Sequence, residues 1–227
     1  DMKYPYLLLD ADNTLFDFDA GNRHAFHEVC ARYDIPDTEE SFQCYKRCNN
    51  AMWAAFDRGE CTKDFLVVER FRRFLKEMGL DQDAARCNEL HLQVLGQNTL
   101  LLPHALEVCR GLSREHRLYI VTNAVAAVQR SRLAGSAIAP YITGAFISEE
   151  AGASKPSAAY FDYVFSRIDG ITRENCLLVG DSPSSDIRGA NNYGLPCCWY
   201  NPKGTARPED LRIDYEIRDL RQLYDLV

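Results

Sequence analysis

The stretch Tyr-Leu-Leu-Leu-Asp-Ala-Asp-Asn-Thr-Leu-Phe, residues 6–16, places two carboxylates two positions apart directly after a short apolar run. Such a run, bounded by polar residues, is typical of a buried strand in a parallel sheet. Sheets of this kind bind ligands beyond the carboxyl ends of their strands, so Asp10 and Asp12 are predicted to lie where a substrate would bind. Because the two carboxylates repel each other, the pair requires a cation such as Mg²⁺ or a shared proton. Residues 12–14 also suit a helix N-cap, and this stretch alone leaves both interpretations open.

Three further segments repeat the pattern of an apolar strand that ends in polar residues. They are Leu118–Asn123, Ala145–Ser148 and Cys176–Ser182. The strands after residue 101 alternate with helical segments, which is the βαβ pattern of a doubly wound sheet. We therefore predict an α/β fold with a Rossmann-like, parallel, doubly wound sheet.

The polar residues that follow these strands resemble the four signature motifs of the haloacid dehalogenase superfamily in its phosphohydrolase form. In chain order they are Asp10, Asp12 and Thr14, then Thr122 and Asn123, then Lys155 and Pro156, then Gly180, Asp181 and Ser182 with a second acid at Asp186. The resemblance extends over nearly the whole chain. It implies a phosphatase that requires Mg²⁺.

The region between the first and second predicted strands shows helical periodicity. Turn signals at residues 34–37, 58–60 and 78–81 divide it into about four helices. One of these helices carries a predicted buried stripe formed by Phe65, Val68, Phe71, Phe74 and Leu75. We predict a catalytic core formed by residues 2–17 and 100–227, and an inserted helical-bundle cap of residues 18–99 that resembles the cap of the superfamily's first subclass.

The resemblance also implies a role for each acidic residue. Asp10 would be the nucleophile that forms an aspartyl-phosphate. Asp12 would be the general acid and then the general base, and its backbone carbonyl would bind the metal beside Asp10. Asp181 would complete the metal site, whereas Asp186 would orient a ligand or Lys155 from behind the metal ligands.

Phosphate recognition is assigned to the second and third motifs. The Thr122 hydroxyl and the Asn123 backbone amide would hold phosphoryl oxygens at a strand-to-helix junction, next to Asp10. Lys155 would supply a fixed positive charge. Taken singly, a lysine is more often on the surface and a threonine more often a helix cap, but together with the paired acids they favour a catalytic site.

The acid at Asp12 indicates phosphoester chemistry, because the dehalogenase and phosphonate-hydrolase branches lack an acid at that position. A closer resemblance is to the bacterial noncanonical pyrimidine 5′-nucleotidases, which act on nucleoside monophosphates. It depends on Asp10–Asp19, on Trp53 ahead of residues 56–59, and on residues 147–152 and 198–201. Two alternatives stay open: a phosphatase for another small metabolite, such as a sugar phosphate or phosphoglycolate, and a regulatory phosphate-binding module without turnover.

Trp53 is the only candidate for substrate binding in the predicted cap. Its ring either stacks on a nucleotide base or packs between helices. The nine cysteines are odd in number and lack zinc-site spacing, so we expect reduced, packed thiols.

The net charge of −7 is spread along the chain, and no basic patch is present. We therefore expect the protein to bind neither nucleic acids nor anionic membranes. No apolar run approaches the roughly 20 residues of a membrane span, and no signal peptide is recognisable. We expect a cytoplasmic monomer or homodimer that binds a small phosphorylated metabolite.

Overall fold

A computed structural model of the protein describes residues 2–227. The chain forms two compact units. An α/β unit extends to Phe18 and resumes at Thr99, and a helical unit comprises Asp19–Asn98. The helical unit is thus a single insertion directly after the loop that carries the paired acids.

The α/β unit is built on one six-stranded parallel sheet. In chain order the strands are β1 (Tyr6–Leu9), β2 (Arg117–Thr122), β3 (Gly144–Ile147), β4 (Cys176–Gly180), β5 (Cys197–Tyr200) and β6 (Tyr215–Ile217). Their spatial order is β3-β2-β1-β4-β5-β6. The direction of winding reverses between β1 and β4, and ligands of such sheets bind at the carboxyl ends of the strands beside that point. The predicted doubly wound α/β fold is confirmed.

Four helices contain most of the helical unit. They are α1 (Phe18–Tyr33), α2 (Glu39–Asp57), α3 (Lys63–Glu77) and α4 (Ala84–Gly96). The predicted turn signals lie between them, and threonine side chains at positions 38 and 62 cap the first turns of α2 and α3. These caps satisfy backbone N–H groups that have no partner within the helix.

Within residues 99–227, the α/β unit adds five α-helices, several of them short. They are α5 (Ala105–Leu112), α6 (Ala126–Gly135), α7 (Ser148–Ala151), α8 (Ala158–Phe165) and α9 (Arg188–Tyr193). Successive side chains of β1 point to opposite faces of the sheet. Leu7 and Leu9 pack in one apolar cluster, and Leu8 packs in another. Both faces of the sheet are therefore covered, which explains why β1 reads as an unbroken apolar run.

The buried face of α3 differs from the predicted stripe. Phe71, Phe74 and Leu75 are buried as expected and Val68 is half-buried, but Phe65 is 48% exposed, and the prediction for it is wrong. Arg70 is buried, although the spacing of apolar residues along α3 would place it on the polar face. Its guanidinium donates to Asn49 Oδ1 and Asn88 Oδ1, both at 3.0 Å. These hydrogen bonds replace water around the guanidinium, so Arg70 can lie on the buried face of α3. Phe65 lies outside that face.

All nine cysteines are free thiols, as their number and spacing predicted, and eight of them are buried. Burial raises the pKa of the Cys44 thiol to about 12, so that this group is protonated. No helix within residues 2–227 has the length and apolar character needed to cross a membrane.

The two phenylalanines of α3 give a matched test of this packing. Phe71 is fully buried, and its ring lies 5.1 Å from that of Tyr45. Phe71→Ala should therefore lower the free energy of unfolding by about 3–5 kcal/mol. Phe65→Ala, on the same helix, should change it by less than about 0.5 kcal/mol. Urea denaturation followed by circular dichroism measures both, and equal losses would contradict the described face.

Candidate active site

The loop after β1 presents its polar side chains at the carboxyl edge of the sheet. The Ala11 carbonyl accepts hydrogen bonds from the backbone of Leu15 (2.9 Å) and Phe16 (3.0 Å), which folds the chain into a tight turn. Within it the Thr14 hydroxyl donates to Asp10 Oδ2 at 3.1 Å. Because α1 begins only at Phe18, residues 12–14 do not cap it, and that alternative interpretation is wrong.

Lys155 is the central cation of the site, and only 1% of its surface is exposed. Its ammonium donates to Asp10 Oδ1 (3.0 Å), Asp186 Oδ1 (2.6 Å) and the Val121 carbonyl (2.8 Å), which uses all three of its protons. Burial alone would lower the pKa of Lys155, but the charges of the two carboxylates outweigh it and raise that pKa above its ordinary value.

The Asn123 side chain fixes the backbone of that lysine. Its Oδ1 accepts from the Lys155 backbone N–H at 2.9 Å, and its Nδ2 donates to the Lys155 carbonyl at 2.8 Å. This reciprocal pair joins the end of β2 to the loop that carries Lys155. The adjacent Thr122 is buried, and its Oγ1 accepts from the Ala124 N–H at 3.1 Å.

A second pair of carboxylates follows β4. Asp181 lies directly after the strand, and its backbone carbonyl accepts from the Trp199 indole N–H at 2.9 Å. Asp186 is completely buried and accepts from the Ser182 N–H at 3.1 Å. A Cβ atom on Gly180 would lie 2.2 Å from Asp186 Oδ2, so only glycine permits this approach.

The carboxylates of Asp10, Asp181 and Asp186 converge closely enough to test whether a metal fits. One oxygen from each lies within 4.8 Å of the others. Burial and the neighbouring charges of Asp10 and Asp186 raise the pKa of Asp181 well above its usual value, and burial with the Asp10 charge raises the pKa of Asp186 to about 7. Three crowded acids beside one lysine are short of positive charge, and hard oxygen ligands suit Mg²⁺. The residues therefore fit a divalent cation.

Asp12 is contacted by Arg132, a residue that the sequence analysis missed. The Arg132 Nη1 donates to Asp12 Oδ1, and the arginine side chain is fully buried. Burial raises the pKa of Asp12, whereas the charge of Arg132 lowers it in part. The only sequence signal is the three-residue spacing of Gln129 and Arg132 on α6, which a solvent-facing helix shows equally well.

Tyr160, which no sequence motif indicated, supports the end of β2. Its hydroxyl accepts from the Thr122 N–H at 3.1 Å and donates to the Phe146 carbonyl at 2.6 Å. Trp53, the predicted substrate-binding residue of the cap, lies in the helical unit. It is half-buried, and its ring packs edge-on against Phe56 at 5.6 Å.

The fold and the site define an enzyme of the doubly wound α/β class, with acidic residues and a buried lysine gathered at the carboxyl ends of parallel strands. The chain belongs to the haloacid dehalogenase-like hydrolase family, whose model matches residues 4–194. This confirms the resemblance seen in the motifs.

Individual relatives match over nearly their whole lengths. The HAD-hydrolase YfnB of Bacillus subtilis is 36% identical, covering 99% of this chain and 96% of the relative. The pyrimidine 5′-nucleotidase PynA of Streptococcus pneumoniae is 32% identical (99% and 95%), and the pyrimidine 5′-nucleotidase YjjG of Escherichia coli is 30% identical (100% and 99%). A crystal structure of YfnB, described as bound to magnesium, superposes with a TM-score of 0.94 over 99% of this chain and 98% of YfnB.

The buried Lys155 yields a prediction about stability. In metal-free buffer near pH 8, Lys155→Met leaves Asp10 and Asp186 without their cation and should lower the free energy of unfolding by about 3–5 kcal/mol. The pKa of Asp186, about 7, exceeds its value in an unfolded chain, so the neutral acid is favoured on folding. That contribution is present at low pH and lost as the pH rises through about 7.

The charge of Lys155 lowers the pKa of Asp186, so its removal raises that pKa further and the variant loses more stability than the wild type as the pH rises. The destabilisation by Lys155→Met should therefore be smaller near pH 5 than near pH 8. Urea denaturation at both pH values measures it. Lys203→Met changes an exposed lysine of the same unit and should have an effect below about 0.5 kcal/mol at either pH. An equal loss at both pH values for Lys155→Met would contradict the charge-compensation argument.

Proposed function

We propose that this protein is a Mg²⁺-dependent phosphomonoester hydrolase that acts through an aspartyl-phosphate on Asp10. The observation that carries the proposal is the setting of the Asp10 carboxylate at the end of β1. Lys155 donates to one of its oxygens at 3.0 Å and Thr14 to the other at 3.1 Å. Such a carboxylate is fixed in direction beside a positive charge, as suits a covalent nucleophile. Full-length similarity to two 5′-nucleotidases supports the same chemistry.

In the first step an Asp10 oxygen attacks phosphorus, and the bond from phosphorus to the leaving oxygen breaks. Asp12 gives its proton to that oxygen, so that an alcohol departs. The Thr122 hydroxyl and the Asn123 backbone N–H hold the phosphoryl oxygens, where negative charge must be offset before an anion can attack. Lys155 acts mainly through its charge, because its three protons are already donated to protein oxygens.

In the second step Asp12 takes a proton from water. The resulting hydroxide attacks the aspartyl-phosphate, inorganic phosphate leaves, and Asp10 is restored as a carboxylate. Asp10, Asp181 and the backbone carbonyl of Asp12 would hold Mg²⁺, while Asp186 orients Lys155 at 2.6 Å. When bound, the metal supplies positive charge that offsets the phosphoryl oxygens during attack.

We further propose that the substrate is a nucleoside monophosphate, with pyrimidine nucleotides favoured. Two relatives that match nearly the whole chain, PynA and YjjG, are pyrimidine 5′-nucleotidases. The similarity covers the helical unit as well as the α/β unit. We propose that the helical unit acts as a cap that distinguishes leaving groups, while the α/β unit recognises the phosphate.

Hydrolysis of an aryl phosphate by the purified protein tests the chemistry. Activity should require Mg²⁺, disappear with excess chelator and be inhibited by Ca²⁺, which prefers more ligands and longer bonds. Asp10→Asn should lower kcat by several orders of magnitude without changing the melting temperature by more than a few degrees, because an amide cannot attack phosphorus. Activity of Asp10→Asn within tenfold of wild type would refute the nucleophile. No turnover by the wild type, with phosphate still bound, would favour a regulatory module.

A substrate screen tests the nucleotide proposal separately. The kcat/KM for UMP, dUMP and TMP should exceed that for sugar phosphates and phosphoglycolate by more than about tenfold, which corresponds to about 1.4 kcal/mol of discrimination. Trp53→Ala should weaken the use of nucleotides by about 1–3 kcal/mol if its ring stacks on the base, and spare the aryl phosphate. Proportional losses on both substrates with a lower melting temperature would show that Trp53 only packs. Equal use of sugar phosphates would indicate a general metabolite phosphatase.

A further inference from the structure

We propose that Arg132 is a positioning residue for Asp12, whose guanidinium holds the carboxylate in the orientation from which it exchanges protons with the leaving oxygen and with water. The inference rests on the proposed function, because it takes the proton transfer by Asp12 from there. It adds a residue of α6, more than a hundred positions along the chain, to the acidic loop after β1.

The guanidinium of Arg132 is held from several sides. Its Nη1 donates to Gln129 Oε1 at 3.2 Å, one turn earlier on α6, as well as to Asp12 Oδ1. Its central carbon lies 4.5 Å from the centre of the Phe16 ring, which is cation–π distance. Because Phe16 and Asp12 belong to the same loop, the arginine contacts that loop through both a ring and a charge. Such a guanidinium has little freedom to turn.

The exposure of the ion pair is one-sided. The Arg132 side chain has no accessible surface, whereas 24% of the Asp12 side chain is exposed. The carboxylate is thus supported from the protein interior and accessible from solvent. A general acid and base requires this combination, since it must meet a leaving group and then a water molecule without losing its direction.

Stability alone does not account for the pair. Replacing a buried ion pair with apolar side chains of similar volume is often neutral or stabilising, so a guanidinium is a poor choice if packing is its only task. Arg132 reaches Asp12 through Nη1, and the Gln129 side chain and the Phe16 ring hold the plane of the guanidinium, so its charge approaches the carboxylate from one fixed direction. The geometry therefore points to orientation of Asp12 as the purpose of Arg132.

Arg130 provides a matched control on the same helix. It lies two positions before Arg132, has 53% of its side chain exposed and pairs with Glu150 at 2.7 Å. The hydrogen bonds of its guanidinium go to Glu150, which is not among the residues assigned to catalysis. Arg130→Met removes the same charge from the same helix and should leave the kinetics unchanged.

The test compares two phosphomonoesters that differ in their need for a proton. An aryl phosphate leaves readily, whereas an alkyl phosphate such as a nucleoside monophosphate requires protonation of the leaving oxygen. Arg132→Met should lower kcat for the alkyl ester by about 10–100-fold, keep KM within about twofold, and lower kcat for the aryl ester by less than about threefold. Arg132→Lys should recover part of the loss, because it restores a positive charge without the planar guanidinium that packs on Phe16.

Asp12→Asn supplies the second arm. It should show the same selective loss on the alkyl ester, and adding Arg132→Met to it should cause no further loss of selectivity, because both changes act on one proton transfer. Equal losses on the two esters, or additive losses in the double variant, would overturn the inference. If Arg132→Met does not fold, the same comparison with Arg132→Lys and its double variant decides the matter.

The wild-type measurement separates the two proposals. If the wild type hydrolyses neither ester, the proposed function fails and the role of Arg132 fails with it. If the wild type hydrolyses both and Arg132→Met shows no selective loss, only the positioning role is overturned.

Discussion

The buried ammonium of Lys155 is the interaction on which the site depends. The Asp186 side chain is fully buried and that of Asp10 is 12% exposed, so water screens the repulsion between the two carboxylates poorly and a cation must offset it. Lys155 contacts both carboxylates and the backbone of β2 at the same time. It thereby links the ends of β1, β2 and β4, so that the geometry of the site follows from the register of the sheet.

Backbone features make this arrangement possible. The reciprocal pairing of the Asn123 side chain with the Lys155 backbone fixes the loop that carries the lysine. The missing side chain at Gly180 leaves room for the Asp186 carboxylate. Tyr160 connects the backbones of β2 and β3 at the same edge. None of these three features takes part in the reaction, but each fixes the backbone close to a charged side chain of the site.

The strands and the motif residues could be predicted from the sequence because both depend on local patterns. A parallel sheet covered on both faces produces apolar runs such as Leu7 to Leu9, and the polar residues that follow them have to lie at one edge. Arg132 and Arg70 could not be predicted in this way. Each is a charged residue on a helix that is buried only because it hydrogen-bonds to residues distant in sequence. The partner of Arg132 is Asp12, and the partners of Arg70 are Asn49 and Asn88. The exposure of Phe65 could not be predicted either, because it depends on which residues of α3 are buried, Arg70 among them.

The cysteines described above have a practical consequence for spectroscopy. Eight of the nine thiols are buried, and Cys61, between α2 and α3, is the one that solvent partly reaches. Alkylating reagents react with thiolates, and partial burial raises the pKa of the Cys61 thiol, so its modification should be slow but selective. The natural chain thus offers one attachment point for a fluorophore or spin label in its helical unit, without removal of any other cysteine.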